Sequence, residues 1–248
     1  MTSPSLPRSA FSWRHLFVSR STRILAGLWI PALLFGCASA APPAPPEPTE
    51  PVVRRVRPPD AGDMVAYREL DRGDFRADQP PPGADRSRGH VAAATCAYLV
   101  PNPELRFRAV RKPGELDFTA EVVDLGFSAV MDPACSWWDA ESRFRPDDYV
   151  LEHEQIHFAL FELAARDLNQ RADALSEQMR AVGETGEVAL AEVRRRFDEA
   201  FNAAVQRTAE RSQRFDQETS LGFQPEAQAR WAREVEAELA ATGDSAPE

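Results

Sequence analysis

"VLEHEQIHFALFELAARDL", Val150 to Leu168, decides the reading of this chain. Apolar residues recur through it at helical steps, so the spacing predicts a helix with one apolar face. His153 and His157 stand four residues apart, one turn along that helix, and Glu154 follows the first. Residues i and i+4 share a face, so the two imidazoles can point at one ion. Glu154 then lies near enough to a bound water to take its proton. This is the physical content of the H-E-x-x-H pattern, and zinc is its usual metal. The plainer reading is a polar helix turn with two solvated histidines.

Beyond this stretch, no proline occurs between Pro146 and Pro225, and two apolar stripes run at helical spacing. One is Ile156, Leu160, Ala164, Leu168, Leu175, Met179 and Val182; the other runs from Leu190 through Phe197 and Phe201 to Phe215. "GETGE", Gly183 to Glu187, separates them with the chemistry of a helix–helix turn. The expectation is a long antiparallel helical hairpin, followed by a last helix in "PEAQARWAREVEAEL".

A catalytic zinc needs three protein ligands and one open position. Leu163 stands where the extended motif would carry a third histidine, and the other imidazoles of the chain are His15 and His90. The third ligand is therefore expected to be a carboxylate, unless His90 folds over. Two antiparallel helical arms turning near residue 185, rising ~1.5 Å per residue, bring about positions 213–217 level with 153–157. Asp216 is the favoured third ligand and Glu218 the alternative. Both could equally be ordinary residues of a solvated helix end. Glu162, over a turn beyond His157, belongs to the surroundings of the site or to the surface.

The half before the helices reads differently. "VAYREL", "VAAATCAYLV", "ELRFRAV", "ELDFTAEVVDL" and "GFSAVMD" are short strand-like runs between Pro and Gly breaks, with a surface loop over Ala77 to Gly89. They predict a small antiparallel sheet, so the fold class is α+β. Cys96 and Cys135 are expected to pair as a disulfide in an oxidising compartment, the alternative being two buried thiols.

The compartment is read from the N-terminus. Arg8, Arg14, Arg20 and Arg23 precede an apolar run from Ile24 to Gly36, too short to span a bilayer comfortably, and Cys37 follows at once. "LLFGC" resembles a bacterial lipobox, which makes Cys37 the lipidated residue; a plain signal peptide cleaved near Ala38 to Ala40 is the alternative. Ala38 in place of an acidic residue resembles the pattern of outer-membrane lipoproteins. The expected organisation is a lipoprotein signal peptide over 1–36, a Pro-rich tether over 37–62, the folded domain over 63–240 and a tail over 241–248. A net charge of −10 argues against a nucleic-acid surface.

"HEQIHFALFELAAR" followed by "FDQETSLGFQPEAQARW", together with "DFRADQPPPG" and "SWW" at Ser136 to Trp138, resembles a bacterial domain-of-unknown-function family described as predicted secreted zinc-dependent proteases. The similarity covers about residues 65–235. It implies zinc held by His153 and His157, with Glu154 as catalytic acid/base, and Asp216 and Thr219 match an Asp-x-x-Thr pattern. Members of that family often carry Gly where this chain has Ile156, and His-Gly where it has Leu221-Gly222. The expected function is a zinc-dependent metalloprotease, membrane-anchored through Cys37 in the bacterial envelope, facing the periplasm and hydrolysing a protein or peptide substrate. Tyr149 is a candidate oxyanion donor or a packing residue, and Trp137 and Trp138 line a cleft or pack in the core. The rival expectation is a non-catalytic envelope lipoprotein that binds a protein partner through its helical hairpin, with Ile156 and Leu221 in its favour.

Overall fold

The computed structural model describes residues 52–55, 63–81, 91–140 and 145–243. The signal-peptide stretch 1–36, the lipidation residue Cys37, the tether apart from residues 52–55, His90 and the last five residues of the tail lie outside the described residues. Nine strands are described: β1 (Val52–Arg55), β2 (Val65–Ala66), β3 (Ala93–Ala94), β4 (Ala97–Pro101), β5 (Arg106–Val110), β6 (Phe118–Val123), β7 (Phe127–Met131), β8 (Trp137–Trp138) and β9 (Ala181–Gly183). Four α-helices accompany them among the described residues: α1 (Asp147–Gln170), α2 (Ala172–Met179), α3 (Gly186–Thr219) and α4 (Pro225–Thr242). The chain is thus a mixed α/β fold with small antiparallel sheets, and none of its described helices is long and apolar enough to cross a membrane.

Three sheets form where the sequence predicts one. Their strand orders are β1-β5-β6-β9, β2-β7-β4 and β3-β8, every pairing antiparallel. The division occurs at Thr95 and Cys96, inside a run that reads as one strand. There the Cys96 N–H leaves the ladder and donates to Ser136 Oγ at 3.0 Å, while Ser136 Oγ donates to the Asp132 carbonyl at 2.8 Å. The Cys96–Cys135 disulfide, with Cα atoms 5.7 Å apart, holds the same corner. β3 is thereby turned to β8 and β4 to β7. β1 lies inside the stretch expected to be tether: "VVRR" is free of proline, so it can add an edge strand to β5.

The helical half also departs from a plain hairpin. α1 ends at Gln170; after Arg171 the chain forms α2 and then β9, which pairs with Phe118 to Ala120 of β6. Val182 therefore belongs to a strand and is exposed, although it completes a helical stripe in the sequence. Gly183 closes this corner because a Cβ there would stand 2.7 Å from the Ala189 nitrogen in the first turns of α3. α3 begins at Thr185, whose hydroxyl accepts from the Val188 N–H at 3.3 Å. At 34 residues α3 is long enough to serve two cores. Its first half buries Leu190, Val193 and Phe197 against β5, β6 and β9. Its last turns bring Phe215 to α1 and α4.

α1 is covered on two sides. Val150 and Phe158 meet Leu70, Phe75, Ala129 and Met131 of the β2–β7 layer. Ile156, Leu160 and Leu163 meet Phe215 of α3 and Trp231 and Val235 of α4. Each such side chain contributes about 1.5–3 kcal/mol by leaving water. The strip left between these two apolar faces carries His153, Glu154 and His157. α4 runs to Thr242, two residues into the expected tail, where Arg166 Nη1 donates to the Leu239 carbonyl at 3.0 Å and the Gly243 carbonyl at 2.6 Å.

The disulfide spans 39 residues. Chain-entropy reasoning gives a cross-link of that length about 4 kcal/mol of stability. A Cys96→Ala/Cys135→Ala protein should therefore unfold at a clearly lower urea midpoint than the oxidised wild type. An unchanged midpoint in parallel urea titrations would contradict this placement of the bond.

Candidate metal centre

α1 starts on the Pro146 carbonyl, which accepts from the N–H groups of Tyr149 and Val150 at 3.1 and 3.2 Å. Two turns in, His153 and His157 project from one face with ring centroids 5.0 Å apart. Phe215 lies behind both, its ring centroid 4.5 Å from that of His153 and 4.9 Å from that of His157. The next residue of α3, Asp216, places Oδ1 3.3 Å from His153 Nε2 and 3.0 Å from His157 Nε2. One ligand atom from each of these three residues lies within 4.8 Å of the others, a separation that one metal ion can bridge.

Hydrogen bonds behind the imidazoles fix which nitrogen faces Asp216. Gln228, on α4, is fully buried. Its Nε2 donates to the Tyr149 carbonyl at 3.0 Å and to Glu152 Oε2 at 2.8 Å. With both donors committed, Gln228 turns Oε1 to His153 Nδ1 at 3.1 Å. An amide oxygen only accepts, so Nδ1 carries a ring proton and Nε2 is the nitrogen that faces Asp216. His157 has a matching partner, Ser212 Oγ, 2.7 Å from its Nδ1. Both imidazoles thus have a polar group behind them of the kind that orients metal-binding histidines.

The electrostatics suit a cation. Burial pulls the His157 imidazole down, but the hydrogen bond and charge of Asp216, with the charge of Glu154, raise its pKa above the ordinary value. Burial pushes the Asp216 carboxyl up, yet the hydrogen bonds and charges of the two histidines hold it well below the usual carboxylate range. Glu154 is 4% exposed, and its Oε2 has no hydrogen-bond partner. A buried carboxylate oxygen left unpaired costs at least about 1–3 kcal/mol. It lines a cleft of about 900 Å³ together with the three ligand candidates. Thr95 Oγ1 on the β3 side of the same cleft is likewise buried without a partner.

The turn from α3 to α4 closes one end of this cleft through three consecutive left-handed residues, Ser220 (φ 51°), Leu221 (φ 56°) and Gly222 (φ 79°). Gly222 adopts that conformation freely; a Cβ there would also stand 3.5 Å from His153 Nδ1. For Leu221 it costs about 1–2 kcal/mol. Hydrogen bonds hold the turn: Leu221 N–H to the Asp216 carbonyl at 2.8 Å, Gln224 N–H to the Thr219 carbonyl at 2.8 Å, and Tyr149 Oη–H to the Gly222 carbonyl at 2.7 Å. Thr219 donates to the Phe215 carbonyl at 2.8 Å and accepts from the Gly222 N–H at 3.3 Å.

Of the residues singled out in the sequence, His153, Glu154, His157 and Asp216 meet at one place. Glu218 does not: two residues from Asp216 on a helix, it faces α4, accepting from Trp231 Nε1 at 2.9 Å and Arg230 Nη2 at 3.0 Å. Glu162 pairs with Arg166 at 2.7 Å, away from the cleft. Tyr149 lines the cleft, but its hydroxyl proton is committed to Gly222, which leaves it no proton for an oxyanion. Trp137 and Trp138 line no part of the cleft, and Trp138 packs edge-on to Phe75 at 5.4 Å. Ile156 is turned to Phe215 and Trp231 rather than to the ligand face. Leu221 does line the cleft. Sequence reading missed Gln228 and Ser212, and had Phe215 only as the end of an apolar stripe. Gln228 was the legible one, an amide on the stripe that continues through Trp231 and Val235 on the buried face of α4.

Comparison of the chain with protein-family models, with curated proteins and with solved structures returns no match.

Proposed function

We propose that this chain is a zinc-dependent metallopeptidase of the bacterial cell envelope, anchored by lipid at Cys37 and related to the secreted zinc-protease family its motifs resemble. The observation that carries the proposal is the convergence of two imidazoles and one carboxylate in a cleft that is also lined by Glu154, whose Oε2 is buried and unpaired. Two nitrogen donors and one oxygen donor match the ligand set of catalytic zinc, with a fourth position open to the cleft. The oriented histidines support the same reading, because such partners are what fix a ring for coordination. In these terms the long helical arms form a zincin-like site, α1 bearing H-E-x-x-H and α3 the third ligand. The Cys96–Cys135 disulfide supports an oxidising compartment such as the periplasm. The substrate is a protein or peptide of that compartment.

Bound zinc would supply Lewis acidity and bring the pKa of a water towards neutrality. The chain's residues do the rest. Gln228 and Ser212 hold the two rings with Nε2 forward. Glu154, with Oε2 free, takes the proton of the attacking water as its oxygen bonds to the peptide carbonyl carbon. When the C–N bond breaks, Glu154 returns that proton to the leaving amine. Phe215 and the apolar faces of α1 keep bulk water from the rear of the site.

One feature favours the rival reading of a non-catalytic binding lipoprotein. Asp216 can bridge the two histidines through hydrogen bonds alone, and the trio would then merely clip α3 to α1. Metal analysis separates the readings. The protein should carry near one zinc per chain, and a His153→Ala/His157→Ala protein none. Glu154→Gln should keep the zinc and lose at least about a hundredfold in peptide hydrolysis. Wild type refolded with excess zinc that retains none would decide for the rival.

Two finer outcomes follow from the hydrogen bonds. Gln228→Leu should weaken zinc binding roughly 10–100-fold with the three ligands intact, read by competition against a fluorescent chelator. Zinc must displace the proton of His157, whose pKa is raised above 6.5. Affinity should therefore be full above that raised pKa and fall as the pH drops through it, with protons released on binding. A pH-independent zinc affinity would contradict His157 as a ligand.

A further inference from the structure

The cleft has a second charged end. Arg145, immediately before α1, lines it and is half-buried. Its guanidinium lies over the Tyr149 ring, 5.4 Å from the centroid, and over the Phe223 ring, 4.7 Å from the centroid. Among the described residues it has no carboxylate partner, although the chain carries 39 acidic residues against 29 basic ones. Two carboxylates close by in the chain are engaged elsewhere: Asp147 pairs with Arg72 at 2.8 Å, and Glu152 accepts from Gln228. The other charged residues lining the cleft are Glu154, Asp216 and the two histidines, all at the ligand end. Two rings thus pin a forked, five-donor cation in place with its hydrogen-bonding edge unspent.

We propose that Arg145 recognises a carboxylate on the peptide that occupies this cleft. The inference rests on the peptidase reading of the same site and names the substrate class for it. A guanidinium binds a carboxylate through two parallel N–H···O bonds, and a pre-positioned one loses little freedom in doing so. Distance sets where that carboxylate sits. Arg145 precedes His153 by eight residues, about 12 Å at ~1.5 Å per residue. An extended chain covers ~3.3 Å per residue, so the carboxylate lies about three to four residues from the carbonyl presented to the metal centre. The group can be the free C-terminus of a short peptide or an Asp or Glu side chain at that distance, since both offer the same two oxygens.

The test uses Glu154→Gln protein, which leaves peptides intact, and measures binding with and without added zinc by fluorescence anisotropy. The probes are three labelled alanine-rich hexapeptides: one with a free C-terminus, one C-terminally amidated with a single Glu, and one amidated and uncharged. The free C-terminus, the Glu peptide or both should bind at least about tenfold tighter than the uncharged peptide, and whichever does identifies the source of the carboxylate. Adding Arg145→Gln should erase the preference while zinc content and the thermal melt stay as before, and Arg145→Lys should restore part of it. Equal binding of all three peptides, no binding by any, or a preference that survives Arg145→Gln would overturn the proposal. Zinc content is read separately, so a protein that prefers the carboxylate but holds no zinc would fail the peptidase reading and keep this one.

Discussion

The structure depends on α1 being buried on two sides at once. A helix of a small domain usually hides one stripe and shows the other to water. Here Val150 and Phe158 close on the β2–β7 layer, while Ile156, Leu160 and Leu163 close on α3 and α4. His153 and Glu154 fall between these faces and are buried with them, although neither is a residue type that a core accepts without partners. The polar groups around the two histidines answer that burial. Gln228 satisfies His153, Ser212 satisfies His157, and Asp216 faces both. Removing the apolar flanks would return the same side chains to water and make them an ordinary helix turn.

α3 carries the second constraint, because one continuous helix must serve both the sheets and the site. Phe197 stands 5.5 Å from Phe107 and 6.3 Å from Phe127, which ties the first half of α3 to β5 of the four-stranded sheet and to β7 of the three-stranded one. Phe215 ties the far end to α1 and α4. Between those anchors the helix has little freedom to rotate, and that sets Asp216 forward and Glu218 back. Phe215 and Asp216 act as a pair of consecutive residues, one fixing the depth of the histidine rings and the other facing their nitrogens. The hydroxyl of Thr219, one turn further, carries the same order into the turn that packs beside His153.

The level at which α1 and α3 meet was legible from the sequence for a reason that survives the failure of the simple hairpin. Counting rise along two antiparallel arms predicts that Asp216 comes level with His153 and His157, and the three do stand together, because α2 and β9 occupy the turn without shifting where α3 returns. What could not be read was the turn itself. Ala181 to Gly183 completes a helical stripe in periodicity, and only the open edge of β6 makes it a strand, a partner 60 residues away in the chain. The break at Cys96 was hidden for the same reason: a serine side chain from residue 136 takes its N–H out of the ladder. The disulfide followed from the cysteine count together with the compartment expected from the N-terminal stretch. The partners of the histidines did not, because a hydrogen bond from α4 leaves no trace in the spacing of α1.

The distribution of cost within the fold argues that this cleft is where function resides. Two buried side-chain oxygens without partners occur among the described residues, Glu154 Oε2 and Thr95 Oγ1, and both line it. Ser220 and Leu221 hold left-handed conformations at its rim, and Asp124 is the one other non-glycine residue at positive φ among the described residues. Arg145 adds a cation with no carboxylate partner among the described residues, and Leu221 and Phe223 are half-exposed apolar side chains at the same rim. Elsewhere on α3 the charges are spent in helical pairs such as Arg195 with Glu192 and Glu199. A chain that only needed to fold could relieve each of these burdens with a single substitution, for example glycine at Leu221. Their coincidence on one cleft is explained if each is answered by a bound group: an ion for the imidazoles, a water for Glu154, and an extended peptide for Thr95, Arg145 and the rim.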